Sequence, residues 1–375
     1  MKKTLIAALV PLIASSATVA NAQSVIFNSP SQYDSGSGTA VATNGNGAGL
    51  ELEVHLGGPL FNNYAVWRKT GEWSTWFSGG QVPGSGSADC LGGGTQDCAT
   101  AVSAAGDSAS SSSLFTYVGS QILRGGDSYQ MAIDYRTGTM GSTGSMTWNS
   151  SGTLYGQGNC DTFYPTVAQA SMDGVHMQFV ELNNGCIAVS PPYANSQLYY
   201  TTGTLNIDGK TINWNSPVAF PGTAGYGASV AMWPMHDTNG NPLSTYFVVE
   251  EHTVQNGGSA MYYTTGVLTP GSSTIAWDLP SAGFDNGISP HIAVCSEDNK
   301  SGGAAVIDVH NGGGQGWYKT GRINGHYINW QANGHEYDVG STMVGGPSVA
   351  CTQNWGVETH ENSSGQLIST KFTEN

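Results

Sequence analysis

A recurring pair of side chains along the chain could do acid–base chemistry, because an acidic residue is followed two positions later by a histidine. In an extended strand, residues two apart lie on the same face, so each carboxylate would lie beside its imidazole. Such a pair can be a catalytic base with its orienting group, or each member can satisfy the other's hydrogen bonds when buried. The pairs are Glu53 with His55, Glu250 with His252, Asp308 with His310 and Glu358 with His360, and Glu181 with Asn183 is a variant.

Repetition of the pair favours a structural role over a catalytic one. Catalysis needs one site, whereas the pattern occurs in several repeats of the chain. We therefore predict that the pairs belong to the scaffold, and the alternatives are ligand binding between repeats and catalysis. For catalysis the candidates are His252 with Glu250 and His310 with Asp308. The G-x-S-x-G, H-E-x-x-H and P-loop motifs are absent from the sequence, and no cofactor is predicted.

The elements that must position these pairs are short strands in repeated units. A Thr-Gly dipeptide recurs with an aromatic residue just before it, and in four units a Trp follows about ten residues later. Each unit contains four short alternating apolar runs separated by Gly, Asn and Ser, which is typical of a four-stranded antiparallel blade. The dipeptides begin at Thr70, Thr137, Thr202, Thr265 and Thr320, and the Trp residues are Trp148, Trp214, Trp277 and Trp330.

Counting the acid–His column, with a degenerate member near Leu114 to Val118, predicts an all-β fold, a six-bladed β-propeller. The sixth unit ends early, with Leu367 to Phe372 as its third strand, and Val25 to Pro30 resembles a fourth strand with Phe27 in the Trp position. The N-terminal strand is therefore predicted to close the ring and remove its exposed edges. We expect one propeller domain over 23–375, with 72–113 as a Gly- and Ser-rich loop that is either a surface elaboration or part of a binding site.

Aromatic residues outside these columns are candidates for sugar binding. A sugar ring stacks on a flat apolar face, and nearby planar acceptors bind its hydroxyls. Packing in the core is the competing explanation for each of them. The candidates are Trp73, Trp76, Trp233 and Trp355.

The six cysteines predict disulfides rather than a metal site. Their number is even, no C-x₂-C pair occurs, and no metal is predicted. Cys160 and Cys186 flank a turn signal at Asp173-Gly174 and are expected to pair across a hairpin, and Cys90 and Cys98 would close a small loop. Cys295 and Cys351 end corresponding first strands of consecutive blades and are expected to link them.

Charge and the N-terminal segment limit the partners. Only 10% of residues are charged, with 26 acidic against 11 basic side chains and a net charge of −15, which disfavours nucleic acid and anionic membrane surfaces as partners. Lys2 and Lys3 precede an apolar run and a small-residue exit at Ala20-Asn21-Ala22, which predicts a secretory signal peptide over 1–22. A secreted protein, in the periplasm or outside the cell, without a membrane span is expected.

The sequence resembles secreted bacterial repeat β-propellers whose blades carry V-V-E-V-H, W-Y-x-x-G and I-x-W. The matching segments are Val306 to His310, Trp317 to Gly321 and Ile328 to Trp330. By architecture the chain is also similar to six-bladed fucose-binding lectins and, more distantly, to sialidases. The sialidase Asp-box is absent, and only Arg68, Arg124, Arg136 and Arg322 are available for an arginine triad.

These observations favour a secreted, lectin-like carbohydrate-binding propeller with similar sites on or between blades. The alternatives are an extracellular polysaccharide hydrolase or lyase and a non-catalytic protein-interaction platform. A lectin should repeat its polar surface residues across blades, whereas an enzyme should concentrate unmatched Asp, Glu, His and Tyr in one place.

Overall fold

The chain folds into six antiparallel sheets, which are the blades of a β-propeller, as the repeats predict. The computed structural model describes residues 25–374 except 46–48, 58–65, 73–74, 78, 84–97, 111, 126–127, 156–162, 186–196, 238, 255–257, 296–303 and 353–354. Within this described part every regular element is a strand, and no helix there could cross a membrane.

The strands of the first half of the chain build the closing segments of blade 6 and then blades 1 to 3. The closing segments are β1 (Val25–Phe27) and β2 (Ser31–Ser35). Blade 1 contains β3 (Ser37–Thr43), β4 (Leu50–Leu56), β5 (Val66–Glu72), β6 (Thr75–Trp76) and β7 (Gly80–Gln81). Blade 2 contains β8 (Cys98–Ala105), β9 (Leu114–Gly125), β10 (Ser128–Met140) and β11 (Met146–Tyr155). Blade 3 contains β12 (Phe163–Ser171), β13 (Met177–Gly185), β14 (Gln197–Leu205), β15 (Ile212–Trp214) and β16 (Val218–Ala219).

The second half of the chain builds blades 4 to 6. Blade 4 contains β17 (Gly225–His236), β18 (Pro242–Val254), β19 (Ala260–Leu268), β20 (Ala276–Trp277) and β21 (Ala282–Asn286). Blade 5 contains β22 (Ile288–Cys295), β23 (Ala305–Asn311), β24 (Gly316–Asn324), β25 (Tyr327–Trp330) and β26 (His335–Tyr337). Blade 6 contains β27 (Met343–Thr352), β28 (Trp355–Asn362) and β29 (Gln366–Glu374).

The ring is closed by the N-terminal strand, as predicted. The innermost strands β3, β8, β12, β17, β22 and β27 follow one another around the axis, and β27 packs against β3. In blade 6, β1 pairs antiparallel with β29, placing Phe27 opposite Phe372, and β2 extends the pairing on the same strand. The polypeptide is therefore held as a ring by backbone hydrogen bonds between its two ends, and no blade edge is left open at the junction.

The outer strand of five blades is divided into two segments. Three of the divisions contain a proline, at Pro30, Pro217 and Pro280, which cannot donate a ladder hydrogen bond. The second segment carries an aromatic ring across to the Trp position of the next blade, as in the stack of Phe284 on Trp330 with centroids 5.0 Å apart. These contacts fill the wedge between blades. Equivalent contacts join Phe220 to Trp277, Tyr337 to Phe27 and Tyr33 to Trp76.

The hydrophobic core lies between neighbouring blades rather than within one. Val180 and Leu182 of blade 3, for example, pack with Val230 and Val248 of blade 4 in one buried cluster. Because both faces of a blade press on a neighbour, the middle strands are buried on both sides, and any polar side chain there needs a hydrogen-bond partner.

Every innermost strand begins with a register shift that turns the chain into the central channel. In three of these bulges a glycine adopts a positive φ, at Gly38, Gly227 and Gly345. Tyr164 and Ser289 occupy the corresponding positions of blades 3 and 5 with φ of 53° and 52°, a conformation that costs non-glycine residues energy. The bulge is thus a feature of the fold rather than of glycine alone.

The predicted loop over 72–113 needs correction. Thr75–Trp76 and Gly80–Gln81 complete blade 1, and Cys98–Ala105 is the innermost strand of blade 2. The sequence gives little strand signal there, because Thr75–Trp76 and Gly80–Gln81 are only two residues long and Cys98–Ala105 is rich in alanine. Trp76 accordingly belongs to the recurrent Trp column, since it pairs with Gly71 as Trp330 pairs with Gly321.

One of the predicted disulfides lies in the described part of the chain. Cys295 and Cys351 are bonded, with their Cα atoms 5.0 Å apart, and join the innermost strands of blades 5 and 6. Cys90, Cys160 and Cys186 lie outside the described residues, so the pairings Cys90–Cys98 and Cys160–Cys186 stay predictions, as does the signal peptide over 1–22.

Candidate functional site

The acid–His pairs are formed in the geometry that strand alternation predicts, and they are buried. His310 donates Nδ1–H to Asp308 Oδ2 at 2.7 Å, and His252 donates to Glu250 Oε1 at 2.6 Å. None of these side chains is more than 1% exposed. His55 with Glu53 and His360 with Glu358 repeat the contact at 2.9 to 3.0 Å.

Each imidazole is also enclosed on its far edge. A Cβ at Gly225 would overlap the ring of His252, and one at Gly287 would overlap the ring of His310, so only glycine fits before these innermost strands. Burial by itself would lower the pKa of His310, but the Asp308 carboxylate outweighs this effect and raises it. A closed, charge-compensated pair of this kind stabilises the blade and offers no opening for a substrate.

Blade 3 keeps the pair with an amide in place of the imidazole. Asn183 donates Nδ2–H to both carboxylate oxygens of Glu181 at 3.0 Å. Burial raises the pKa of Glu181 from 4.5 to about 8, because the neutral amide does not offset the loss of water as a charged imidazole would.

Blade 2 fills the same space with a single side chain. Strand pairing places Tyr117 in the acid position and Gly119 in the histidine position. Tyr117 is fully buried, and its hydroxyl occupies the space in which a Cβ on Gly119 would lie. In blade 2 an aromatic ring therefore replaces the polar pair of the acid–His column. Burial raises the pKa of the Tyr117 phenol.

His291 and Ser348 form a contact that sequence reasoning missed. His291 Nε2 lies 3.2 Å from Ser348 Oγ, a spacing seen in nucleophile–base pairs. However, Val349 N–H donates to His291 Nδ1 at 3.2 Å, so the proton of the neutral ring is on Nε2. Burial lowers the pKa of His291 to about 4. The imidazole consequently donates to the serine and cannot take its proton.

Hydroxyl groups at this level link neighbouring innermost strands around the axis. Ser348 Oγ accepts from Val41 N–H at 3.0 Å, and Ser229 Oγ accepts from Ile292 N–H at 3.1 Å. The cavity that these strands enclose is about 70 Å³. This volume is far below the roughly 300 to 1,000 Å³ of small-molecule sites and suits a few waters.

A larger opening lies between blades 4 and 5. This cleft has a volume of about 500 Å³ and is lined by polar and aromatic residues of both blades. Lys319 of blade 5 donates to the Phe284 carbonyl oxygen at 2.5 Å, and its ammonium lies 3.5 Å from Asp285 Oδ2. The lining residues used below are Tyr262, Phe284, Asp285, Asn286, Lys319 and Asn333.

Two carboxyl groups are packed behind the cleft. Glu251 is fully buried, and burial and the neighbouring Asp308 raise its pKa well above its ordinary value, which favours the protonated form. Asp308 uses Oδ2 for His310, and its Oδ1 and the two carboxyl oxygens of Glu251 are buried without a hydrogen-bond partner. Strand register aligns Glu251 with Val54, Leu182 and Thr359 in other blades, which makes this carboxyl unmatched. The Glu250-Glu251 doublet was the only sequence signal for it.

The tryptophans proposed for sugar binding are placed differently. Trp233 and Trp355 are only 8% and 5% exposed, which leaves no ring face for a sugar, and the proposal below does not use them. Trp76 is half-buried, stacks on Tyr33 and donates Nε1–H to Ser369 Oγ at 3.1 Å. Trp73 lies outside the described residues.

Comparison with known proteins gives distant similarities of chain path. No family model and no curated protein matches the chain. An exo-1,5-α-L-arabinanase from a bovine ruminal metagenomic library is 13% identical, with a TM-score of 0.39, covering 80% of this chain and 97% of its own. The Bombyx mori GH32 β-fructofuranosidase BmSUC1 is 8% identical, with a TM-score of 0.48 and 92% of each chain covered. The NanB sialidase from Streptococcus pneumoniae is 9% identical, with a TM-score of 0.48, covering 93% of this chain and 68% of its own. At these levels the similarities bring no function to this chain.

Proposed function

We propose that the protein is a secreted carbohydrate-binding β-propeller whose ligand occupies the cleft between blades 4 and 5. The observation that carries the proposal is the combination of donors, acceptors and aromatic edges in one cleft of about 500 Å³. Asp285 offers carboxylate acceptors, Lys319 offers an ammonium, and Asn286 and Asn333 offer amides that both donate and accept. This set matches the hydroxyl groups of a sugar, which also donate and accept.

The charge of the cleft favours a neutral sugar. The Lys319 ammonium is compensated by Asp285 at 3.5 Å, so the pair presents no net charge to a ligand. The remainder of the chain is acidic, with a net charge of −15, which repels carboxylated and sulfated glycans. The Cys295–Cys351 disulfide supports a location outside the cytoplasm, consistent with the predicted signal peptide.

A hydrolase or lyase is the second candidate, and the buried carboxyl pair is the observation that favours it. A protonated Glu251 beside Asp308 resembles the pairing of two carboxyls with separated pKa values that acid–base catalysis uses. Both side chains are fully buried, however, so a substrate would reach them only if the blades separated. Binding without turnover is therefore the better-supported function.

The test is a binding screen of the mature protein, residues 23–375, against an array of neutral and acidic oligosaccharides, run beside a polysaccharide depolymerisation assay. We expect retention of neutral glycans, and a loss of at least about tenfold in affinity for Asp285→Asn and Asn333→Ala, because each removes hydrogen bonds to the sugar. Asn329→Ala is the matched control, since Asn329 is exposed on the same blade but does not line the cleft.

The two candidates give opposite results with Glu251→Gln. A binding protein keeps its affinity in this variant, because a neutral amide replaces a protonated carboxyl of the same shape. An enzyme loses turnover while retaining binding. Depolymerisation by the wild-type protein that Glu251→Gln abolishes would replace the binding proposal, and the absence of binding to every glycan would refute both.

A further inference from the structure

We infer that a second site of the same kind lies between blades 6 and 1, so that the propeller binds two glycans. The inference rests on the proposed function and extends it to the interface between blades 6 and 1, whose residues do not line the cavity between blades 4 and 5. It is carried by a lysine, an aspartate and an aromatic residue that are arranged alike at both places.

The lysines occupy equivalent positions. Lys69 pairs opposite Glu53 in blade 1, and Lys319 pairs opposite Asp308 in blade 5. Each lysine therefore lies directly across from the acid of a buried acid–His pair on the neighbouring strand. In blades 3, 4 and 6 the corresponding residues are Thr201, Thr264 and Thr370, and in blade 2 the corresponding residue is Arg136, which pairs with Asp134 of its own strand. A lysine ammonium thus occurs at this position at two interfaces of the ring, and a blade can form without one.

The contacts of the two lysines also agree. Lys69 donates to the Tyr33 carbonyl oxygen at 2.6 Å and lies 3.1 Å from Asp34 Oδ2. Lys319 makes the same two contacts with Phe284 and Asp285, at 2.5 Å and 3.5 Å. Each ammonium lies over the preceding blade's aromatic ring, at 5.8 Å for Tyr33 and 5.9 Å for Phe284. We call these groups the Lys69 clamp and the Lys319 clamp.

The Lys69 clamp is open to solvent to a similar or greater degree. The side chains of Lys69 and Asp34 are 18% and 20% exposed, whereas those of Lys319 and Asp285 are 7% and 21% exposed. An ammonium has three donors, so each lysine retains one that its two protein acceptors do not use. A sugar hydroxyl can therefore bind to lysine and aspartate at once at both interfaces.

The groups behind the clamps differ, and this difference assigns the second site to binding alone. Behind the Lys69 clamp, Glu53 accepts hydroxyl protons from Tyr33 at 3.0 Å and Thr39 at 2.8 Å. Thr359 takes the place that Glu251 has behind the Lys319 clamp. Among the described residues this position therefore holds a hydroxyl instead of a buried carboxyl, so the arrangement of Glu251 beside Asp308 is confined to the cleft of blades 4 and 5.

The test is isothermal titration of the wild-type protein and of Lys69→Met, Lys319→Met and the double variant, with an oligosaccharide retained in the array as probe. Lys→Met removes the ammonium but keeps the chain length. We expect a stoichiometry of two for the wild type, one for each single variant and no binding for the double variant. On a surface densely coated with the same glycan, each single variant should bind about 10²-fold more weakly than the wild type, because linked sites act together.

Two controls keep folding and charge apart from binding. Lys210→Met removes an exposed ammonium outside both clamps and should leave the stoichiometry unchanged. Asp34→Asn and Asp285→Asn repeat the test with isosteric changes, and melting temperatures confirm that each variant is folded. A stoichiometry of one, lost with Lys319→Met and unaffected by Lys69→Met, would show that the Lys69 clamp only joins blades. Failure of every glycan to bind would contradict the proposed function as well.

Discussion

Asn183 holds both carboxylate oxygens of Glu181 at 3.0 Å, in the position where four other blades hold an imidazole. The blade therefore requires a side-chain N–H donor beside the acid rather than a titratable ring. This relationship supplies a substitution that separates the structural role of the histidines from a chemical one.

Replacing His310 by asparagine should be tolerated far better than replacing it by alanine. His310→Ala leaves Asp308 without its Nδ1–H donor in a closed interior, which should cost about 1 to 3 kcal/mol in the free energy of unfolding. His310→Asn restores an N–H donor, as Asn183 does. The measurement is the urea unfolding midpoint of both variants, with glycan affinity determined in parallel.

The same comparison at His55, His252 and His360 extends the test around the ring. We expect four alanine variants with similar losses of stability and little change in binding per folded molecule. One variant that stayed as stable as the wild type but lost all activity would identify its blade as catalytic and contradict the scaffold role.

Stability should fall as the pH rises from about 6.5 to about 8, because below pH 6.5 the buried His291, whose folded-state pKa is about 4, acts in the opposite direction. Glu181 has a folded-state pKa of about 8, above its ordinary 4.5. The unfolded chain therefore releases this proton at a lower pH than the folded chain, and this group makes folding less favourable as the pH rises from 4.5 to about 8. The histidines with raised pKa values, His310 and His360, act in the same direction, because their stabilisation is complete below pH 6.5 and is lost as they deprotonate in the folded state.

Glu181→Gln isolates the contribution of this carboxyl to the pH dependence. A glutamine cannot ionise, and it can hydrogen-bond with the Asn183 amide once that group is suitably oriented. The melting temperature of the variant should equal that of the wild type near pH 5 and exceed it at pH 8 to 9. Parallel melting curves for the two proteins over this range would refute the assignment.

Deleting Val25 to Pro30 should weaken the whole ring. The strand buries Val25 and places Phe27 among Tyr318, Tyr337 and Phe372. Each lost apolar side chain is worth about 1.5 to 3 kcal/mol, and the freed edge of β29 loses its ladder partner. Differential scanning calorimetry should show a melting point lower by many degrees. A shift within a degree or so would mean that closure does not depend on this strand.

Gly119→Ala should destabilise blade 2 because the added Cβ overlaps the Tyr117 hydroxyl in a closed interior. Gly283→Ala is the control, since its Cβ would meet nothing closer than 3.7 Å. Thermal melts should show a clear loss for the first and little change for the second. Equal melting temperatures would show that Tyr117 can move aside, and that blade 2 is less tightly packed than its neighbours.

The sequence by itself determined the blade count, the closing strand, the acid–His contacts and the Cys295–Cys351 bond. These follow from local periodicity, because alternation places residues two apart on one face and turn residues divide each blade into strands. Phe27 could be matched to the Trp position from its neighbours alone, and the pairing of Phe27 with Phe372 agrees.

Only the tertiary structure decided which faces of different blades meet. Ser348 and Val41 are 307 residues apart, and the Lys69 clamp joins residues that local periodicity assigns to separate blades. The proximity of Glu251 to Asp308 and the His291–Ser348 pair depend in the same way on packing between blades. Alternation of polar and apolar residues along a strand gives the face on which a side chain lies. Its partner in the neighbouring blade is set by the twist and stacking of whole sheets, which a local sequence pattern does not show.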